Sequence, residues 1–171
     1  MTERIVILGG VTGGSVLAND LADRLGPEID AGDVEVTLIN DGPDHVYKPV
    51  SLYVPFGKRE PADGRRALDE LIDDAVDLRI GRVSEIDTDS RELRFDGTAP
   101  TVEYDHLVLA TGSTLKPERI PGLAEGGHDY YSESGATALR DELLEFTEGE
   151  IVLSVVGTPH MCPAAPLEFV F

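Results

Sequence analysis

The run RIVILGGVTGG at residues 4–14 constrains this chain more than any other segment. Four branched apolar residues, Ile5 to Leu8, are followed at once by a glycine-rich turn and then by the helical pattern of Ser15 to Leu25. Such a strand is apolar on both faces and suits the interior of a parallel sheet. The turn lets backbone approach a pyrophosphate, and the helix start offers free N–H groups with a partial positive charge. With a second strand at Val34 to Ile39, this is the opening of a dinucleotide-binding βαβ unit, and its implied ligand is FAD or NAD. The spacing departs from G-x-G-x-x-G in one place. Aligned on Gly9 and Gly14, Val11 stands where the middle glycine belongs, while Gly10 and Gly13 are additional glycines.

The strand at Val34 to Ile39 ends in Asn40 and Asp41. An acidic residue roughly twenty to thirty residues beyond the glycines accepts hydrogen bonds from the adenosine ribose, which makes Asp41 or Asn40 the candidate contact. A turn role for the Asn-Asp-Gly-Pro run is the alternative. Residues 45–57 form a long aromatic and proline-rich connection, either functional or a cap in which Tyr53 and Phe56 close the core. Arg65 to Val76 carries Ala67, Leu68, Leu71, Ile72 and Ala75 at helical spacing. Short strands are then expected at Leu78 to Ile80, Arg82 to Asp87, Glu92 to Phe95 and Val102 to Tyr104, as an antiparallel meander. A buried strand leads into the Ala-Thr-Gly turn at Ala110, Thr111 and Gly112. Glu133 to Phe146 reads as an amphipathic helix and Glu150 to Gly157 as another buried strand, which restarts the strand, glycine, helix order of the N-terminus.

The fold class is therefore α/β: a Rossmann-like FAD/NAD(P)-binding domain with an inserted meander, then the first strand and partial helix of a second dinucleotide-like domain. The expected boundaries are 1–132 and 133–171. The chain stops in the apolar run Leu167 to Phe171 without a helix cap, and reads as truncated.

Composition narrows the partners. Thirty-three acidic residues against 14 basic ones give a net charge of −19, which repels nucleic acid and anionic lipid. The acids are spread through loops and helix faces, a pattern suited to a solvated surface in a high-salt cytoplasm. No apolar run approaches the roughly 20 residues needed to cross a bilayer, and the N-terminus enters the first strand without an export segment. A soluble cytoplasmic protein is expected. Cys162 is the single cysteine, so no intramolecular disulfide can form, and the four histidines have no ligand-like spacing. No metal site is expected. Cys162 precedes Pro163 as an N-cap precedes a proline at the first helical position, which would bias the thiol toward thiolate.

Together the LGGVTGG turn, the VYKPVSLYVPFG loop, the meander, the LVLATG strand and the GTPHMCPAAP segment at residues 157–166 resemble sulfide:quinone oxidoreductases and their flavoprotein relatives. The resemblance covers essentially the whole chain, but about the first half of such a protein. It implies FAD as cofactor, with Gly9, Gly10, Gly13 and Gly14 at the pyrophosphate and Asn40 or Asp41 at the ribose. Val83 falls near the adenine, and Thr111 and Gly112 pass close to the cofactor. It places Cys162 beside the flavin as one of a pair of sulfur-handling cysteines. The second cysteine, the segment closing over the flavin and the quinone-binding helices lie in the C-terminal half. Sulfide and quinone are the implied substrates, peripheral membrane association would come only through that half, and a second copy of the chain in a homo-oligomer or a separate C-terminal half is the expected protein partner. The degenerate second glycine turn, crowded by Pro159 and Pro163, would not bind NADH. The alternatives are a type II NADH dehydrogenase relative, and a degenerate or truncated dinucleotide-fold protein without turnover.

Overall fold

The computed structural model describes residues 1–97, 99–157 and 162–170, which fall into two compact units, one of 1–46 with 65–114 and one of 47–64 with 115–171. The first unit opens with β1 (Glu3–Leu8), α1 (Thr12–Arg24), the short α2 (Gly26–Asp30) and β2 (Val34–Asn40). The strand pattern read at residues 5–8 produces β1, whose Val6 and Ile7 are both fully buried because each face of the sheet is covered. Between β2 and the next parallel strand, β3 (Asp44–Val46) and β4 (Arg65–Ala67) form a small antiparallel pair. Then come β5 (Asp77–Ile80), β6 (Val83–Asp87), β7 (Glu92–Phe95), β8 (Val102–Glu103) and β9 (His106–Leu109).

The main sheet has the order β5-β2-β1-β9 and is parallel throughout, with Ile7 opposite Leu38 on one side and Val108 on the other. Its two faces are covered by different elements. On one, Ile7, Val36 and Leu38 pack with Ala18 and Ala22 of α1 and with Leu68, Ile72 and Val76. On the other, Val6 and Ile39 pack with Leu93, Val102 and Tyr104 of the antiparallel sheet β6-β7-β8 and its flank. Each large side chain fully buried this way is worth about 1.5–3 kcal/mol over leaving it in water.

In the second unit, 3₁₀ turns at Lys48–Leu52 and Pro61–Gly64 accompany α3 (Leu123–Gly126), α4 (Glu133–Glu145) and α5 (Ala165–Val170). Ser132 caps α4, its hydroxyl accepting from the Gly135 N–H at 3.0 Å. Val54, Ala136 and Ala165 are buried, and Arg140 on α4 reaches Glu60 at 3.0 Å. Among the described residues no helix is long and apolar enough to cross a membrane.

Four sequence expectations require correction here. Arg65 to Val76 is not a helix: its first residues pair with β3 and only a 3₁₀ turn at Leu68–Glu70 follows. Its backbone groups are taken elsewhere, the Leu68 N–H by the Pro43 carbonyl, and the Leu71 carbonyl and Asp73 N–H by the side chain of Asn19. The helical spacing survives as burial alone, at Leu68, Ile72 and Val76. Leu78 to Ile80 belongs to the parallel sheet beside β2, so the meander has three strands and not four. Ile151 to Val156 forms no strand, and Val152 is 73% exposed, because among the described residues no neighbouring strand offers it a ladder. The helix after Cys162 starts at Ala165, two residues beyond Pro163, so neither residue holds the helix-start position read from the sequence.

One ion pair ties the amino ends of β1 and β9. The Asp105 carboxylate accepts from the Arg4 backbone N–H at 2.9 Å and from its Nε at 3.1 Å, while Glu103 also pairs with Arg4. These bonds hold the Asp105 carboxyl down at about 2. A lowered folded value stabilises the fold above the unfolded value of about 3.9, and that contribution disappears as pH falls through about 2. Carboxyl NMR should therefore place the Asp105 midpoint near 2, and Asp105→Asn should remove that part of the acid limb of unfolding.

Candidate functional site: the carboxyl edge of the parallel sheet

The chain crosses from β1 to α1 through Gly9, Gly10 and Val11, at the edge where all four parallel strands end. Ligands of open α/β sheets bind at this edge, where the strand order reverses. Backbone bonds knit the edge together. The Gly9 N–H donates to the Ile39 carbonyl, the Ala110 N–H to Leu8 and the Gly81 N–H to Asn40, each at 2.8 Å.

Two of the four glycines, Gly9 and Gly14, are demanded by atoms of this chain, and Gly10 is tightly flanked. Gly9 has φ +111°, and a Cβ there would lie 2.4 Å from the Ala110 carbonyl oxygen. At Gly14 it would lie 1.8 Å from the Gly9 oxygen, and at Gly10 it would press on Asn40 and Leu68 at 3.0 Å. At Gly9 and Gly14 these are close approaches of backbone to backbone that only glycine permits, whereas at Gly10 the neighbouring side chains would have to give by a few tenths of an ångström. At Gly13 a Cβ would meet nothing within 4 Å.

The amino end of α1 is open. Val11 caps it without a side-chain hydrogen bond, no acidic residue lies in the first turn, and the N–H groups of Thr12, Gly13 and Gly14 have no acceptor among the described residues. Ser15 is buried, with its hydroxyl donating back to the Gly10 carbonyl at 2.6 Å, which fixes the turn from inside. Donors at a helix start together with a bare glycine suit an anionic group such as a pyrophosphate.

Asn40 and Asp41 divide their duties. The Asn40 carboxamide is buried and engaged at both ends: its Oδ1 accepts from the Gly10 N–H at 2.8 Å and its Nδ2 donates to the Gly42 carbonyl at 2.7 Å. Asp41 is exposed and makes no hydrogen bond among the described residues. Val83 is half-buried in β6 and packs into the second core opposite Phe95. Thr111 and Gly112 are exposed just beyond β9, Gly112 with φ +69°. The edge thus brings together Gly9, Gly10, Gly13, Gly14, Asn40, Asp41, Thr111 and Gly112. Sequence reading missed Ser15 and the internal role of Asn40; a small hydroxyl directly after the last glycine was the available signal.

Cys162 lies in the second unit, exposed, with a left-handed φ of +52°. Its carbonyl accepts from the Ala165 N–H at 3.1 Å and, at 3.5 Å, from the Tyr131 hydroxyl. Tyr130 stacks on Tyr131 at 5.0 Å and on Phe169 at 4.4 Å, and burial, with Tyr131 and Cys162 nearby, pushes its phenol up to about 12. Tyr53 and Phe56 do not cap a core: they are half-exposed and line, with Leu52, Phe169 and Val170, a cavity of about 200 Å³. Pro159 and His160 lie outside the described residues. Among the described residues no group of acids, histidines and cysteine could hold a metal ion.

The model of the family described as pyridine nucleotide-disulphide oxidoreductase matches residues 3–158. The chain belongs to this family. It is 27% identical to the mitochondrial sulfide:quinone oxidoreductase of Mus musculus, over 98% of this chain and 37% of the mouse protein. A NADH dehydrogenase-like protein of Mycobacterium tuberculosis is 29% identical, over 86% of this chain and 36% of that one. Among solved structures, the sulfide:quinone oxidoreductase of Aquifex aeolicus shares the fold with a TM-score of 0.71 at 24% identity, over 84% of this chain and 32% of its own. The chain therefore spans less than two-fifths of the length of these relatives.

Because Asn40 holds the Gly10 N–H inside the protein, Asn40→Ala leaves a buried donor without a partner. It should lower stability by about 1–3 kcal/mol, read as a fall in Tm of several degrees in a thermal melt.

Proposed function

We propose that the chain supplies the FAD-binding part of a flavoprotein oxidoreductase of the sulfide:quinone oxidoreductase type, which passes electrons from sulfide or another sulfur compound through Cys162 and FAD to quinone. The observation that carries this reading is the open amino end of α1, where three N–H groups and the bare Gly13 await an anion at the edge of a parallel sheet. Similarity to the mouse enzyme along 98% of the chain supports the choice among flavoproteins.

In this reading the first-turn N–H groups of α1 hold the pyrophosphate, and Gly9, Gly10 and Gly14 keep the turn tight enough to present them. Asp41, with its free carboxylate, is the ribose partner, since the Asn40 carboxamide already serves Gly10 and Gly42. The backbone at Val83 borders the adenine, and Thr111 and Gly112 pass along the cofactor. When bound, FAD would supply an acceptor for an electron pair. Cys162 would contribute one sulfur of a disulfide shared with the second cysteine. Sulfide attacks one sulfur of that bond as the S–S bond breaks, which leaves a persulfide on one cysteine and a thiolate on the other, whose electron pair FAD would accept; the exposure of Cys162 keeps its sulfur open to such attack. The second cysteine and the quinone site belong to sequence corresponding to the remaining length of the relatives. In this reading the acidic surface suits a cytoplasm at high salt, with any membrane contact made by that remaining part.

The experiment is reconstitution. The chain, joined to or mixed with a C-terminal half, should retain flavin absorbance after desalting. Sulfide should bleach that absorbance in the unmodified protein and not in Cys162→Ser, with flavin content unchanged. A colourless complex rejects the proposal, and bleaching by NADH but not by sulfide favours the NADH dehydrogenase type instead. Because 33 acids face 14 bases, raising KCl from low to molar concentration should also raise the unfolding midpoint as self-repulsion is screened.

A further inference from the structure

Among the described residues two non-glycine positions have a left-handed backbone, Arg91 at φ +57° and Cys162 at φ +52°. Arg91 closes the hairpin between β6 and β7, where such a backbone is routine. Cys162 lies in no hairpin, and a residue with a Cβ adopts this conformation at a cost that its surroundings must offset. Two donors meet its carbonyl. The Ala165 N–H, at 3.1 Å, belongs to the turn itself, whereas the Tyr131 hydroxyl, at 3.5 Å, comes from 31 residues away.

Tyr131 stands on a firm mount. The Asp129 carboxylate accepts from the Tyr131 N–H at 2.9 Å, from the Ser132 N–H at 2.6 Å and from the Ser132 hydroxyl at 2.9 Å, and Ser132 caps α4. Gly135 leaves room for that carboxylate, since a Cβ there would lie 2.2 Å from Asp129 Oδ2. The neighbouring Tyr130 is buried and stacks on Phe169 of α5 at 4.4 Å. Two consecutive tyrosines thus grip the cysteine segment at two points, its backbone at residue 162 and its helix at residue 169. Burial, and then the nearness of Cys162, push the Tyr131 phenol up, in keeping with a hydroxyl that lies beside this residue.

We propose that Tyr131 is a positioning residue for Cys162: its hydroxyl holds the left-handed backbone that sets the direction of the Cβ–Sγ bond. The proposal rests on the function read above and adds the residue that presents the sulfur. Turning Cys162 to the ordinary negative range of φ would swing its Cβ to another side of the chain, so the sulfur would stay exposed but point elsewhere. A sulfur that must meet a second cysteine and a flavin needs one direction, whereas labelling by a small reagent from solvent does not.

In the full chain, the Cα and Cβ NMR shifts of Cys162 report its backbone, and iodoacetamide labelling reports its exposure. Tyr131→Phe keeps the ring and removes only the hydroxyl. It should move the Cys162 shifts out of the left-handed range, lower Tm by less than about 3 °C and leave the labelling rate within about twofold. In the complex with a C-terminal half, the same substitution should slow sulfide bleaching at least about tenfold, with flavin content unchanged. Left-handed Cys162 shifts in Tyr131→Phe overturn the proposal whatever the function of the protein. Bleaching within about twofold of the unmodified complex also overturns it. So does labelling that falls in step with bleaching, because the hydroxyl then acts on the reactivity of the sulfur and not on its direction. A larger fall in Tm, or lost flavin, assigns Tyr131 to folding and overturns it too. If sulfide does not bleach the unmodified complex, the functional reading fails and the positioning role falls with it, even where the Cys162 shifts behave as expected.

Discussion

The buried carboxamide of Asn40 is the joint on which the carboxyl edge of the parallel sheet depends. It closes the end of β2 through the Gly42 carbonyl and holds the glycine turn through the Gly10 N–H, so the end of one strand positions the exit of its neighbour. The Gly9 N–H on the Ile39 carbonyl and the Gly81 N–H on the Asn40 carbonyl extend the same seam toward β5. A buried amide satisfied at both ends is directional in a way that apolar packing is not, and it leaves the first-turn donors of α1 facing outward. An aspartate at this position could accept from Gly10 but could not donate to Gly42. The departure from an acid at the strand end thus has a structural reason, and the free carboxylate is carried one residue later.

How much of this was legible in the sequence depends on whether the signal was local. Ile5 to Leu8 announced β1 because continuous branched apolar residues need cover on both faces, and the glycines announced the turn because close backbone approach excludes a Cβ. The meander strands at residues 83–87 and 92–95 were visible through their spacing and turns. Arg65 to Val76 misled because the distant side chain of Asn19 and the Pro43 carbonyl claim the backbone groups that a helix would use. Periodicity reported which residues are buried, and not the backbone that buries them. Ile80 and its neighbours were assigned to the wrong sheet for a related reason, since a short strand does not state its partner.

The neighbourhood of Cys162 shows the same limit. A Cys-Pro pair reads as a helix start, yet α5 begins at Ala165, and Cys162 instead takes a left-handed backbone with its carbonyl met by the Tyr131 hydroxyl. Any activation of the thiol has therefore to come from groups around it rather than from the axis of the six-residue α5. Burial pushes the Tyr130 phenol still further above the physiological range, so this neighbour of Cys162 carries no charge there. The fold was readable from motifs, whereas the setting of the Cys162 sulfur is a tertiary property.

The extended run Ile151 to Val156 has a consequence for handling the protein. Ile151, Val152, Val155 and Val156 are each at least half exposed, in a stretch of β-favouring residues without charge. Short uncharged segments of this kind zip together with copies of themselves. Glu148 and Glu150 stand immediately ahead of the run, where acidic residues act as gatekeepers against stacking, and the surplus of negative charge over the whole chain adds repulsion between molecules. Colloidal behaviour should then pull against folding stability: the salt that relieves repulsion within one molecule also removes the barrier between two. Concentrated stocks of this chain are best kept at moderate ionic strength, with fibril-sensitive dyes used to watch this one segment.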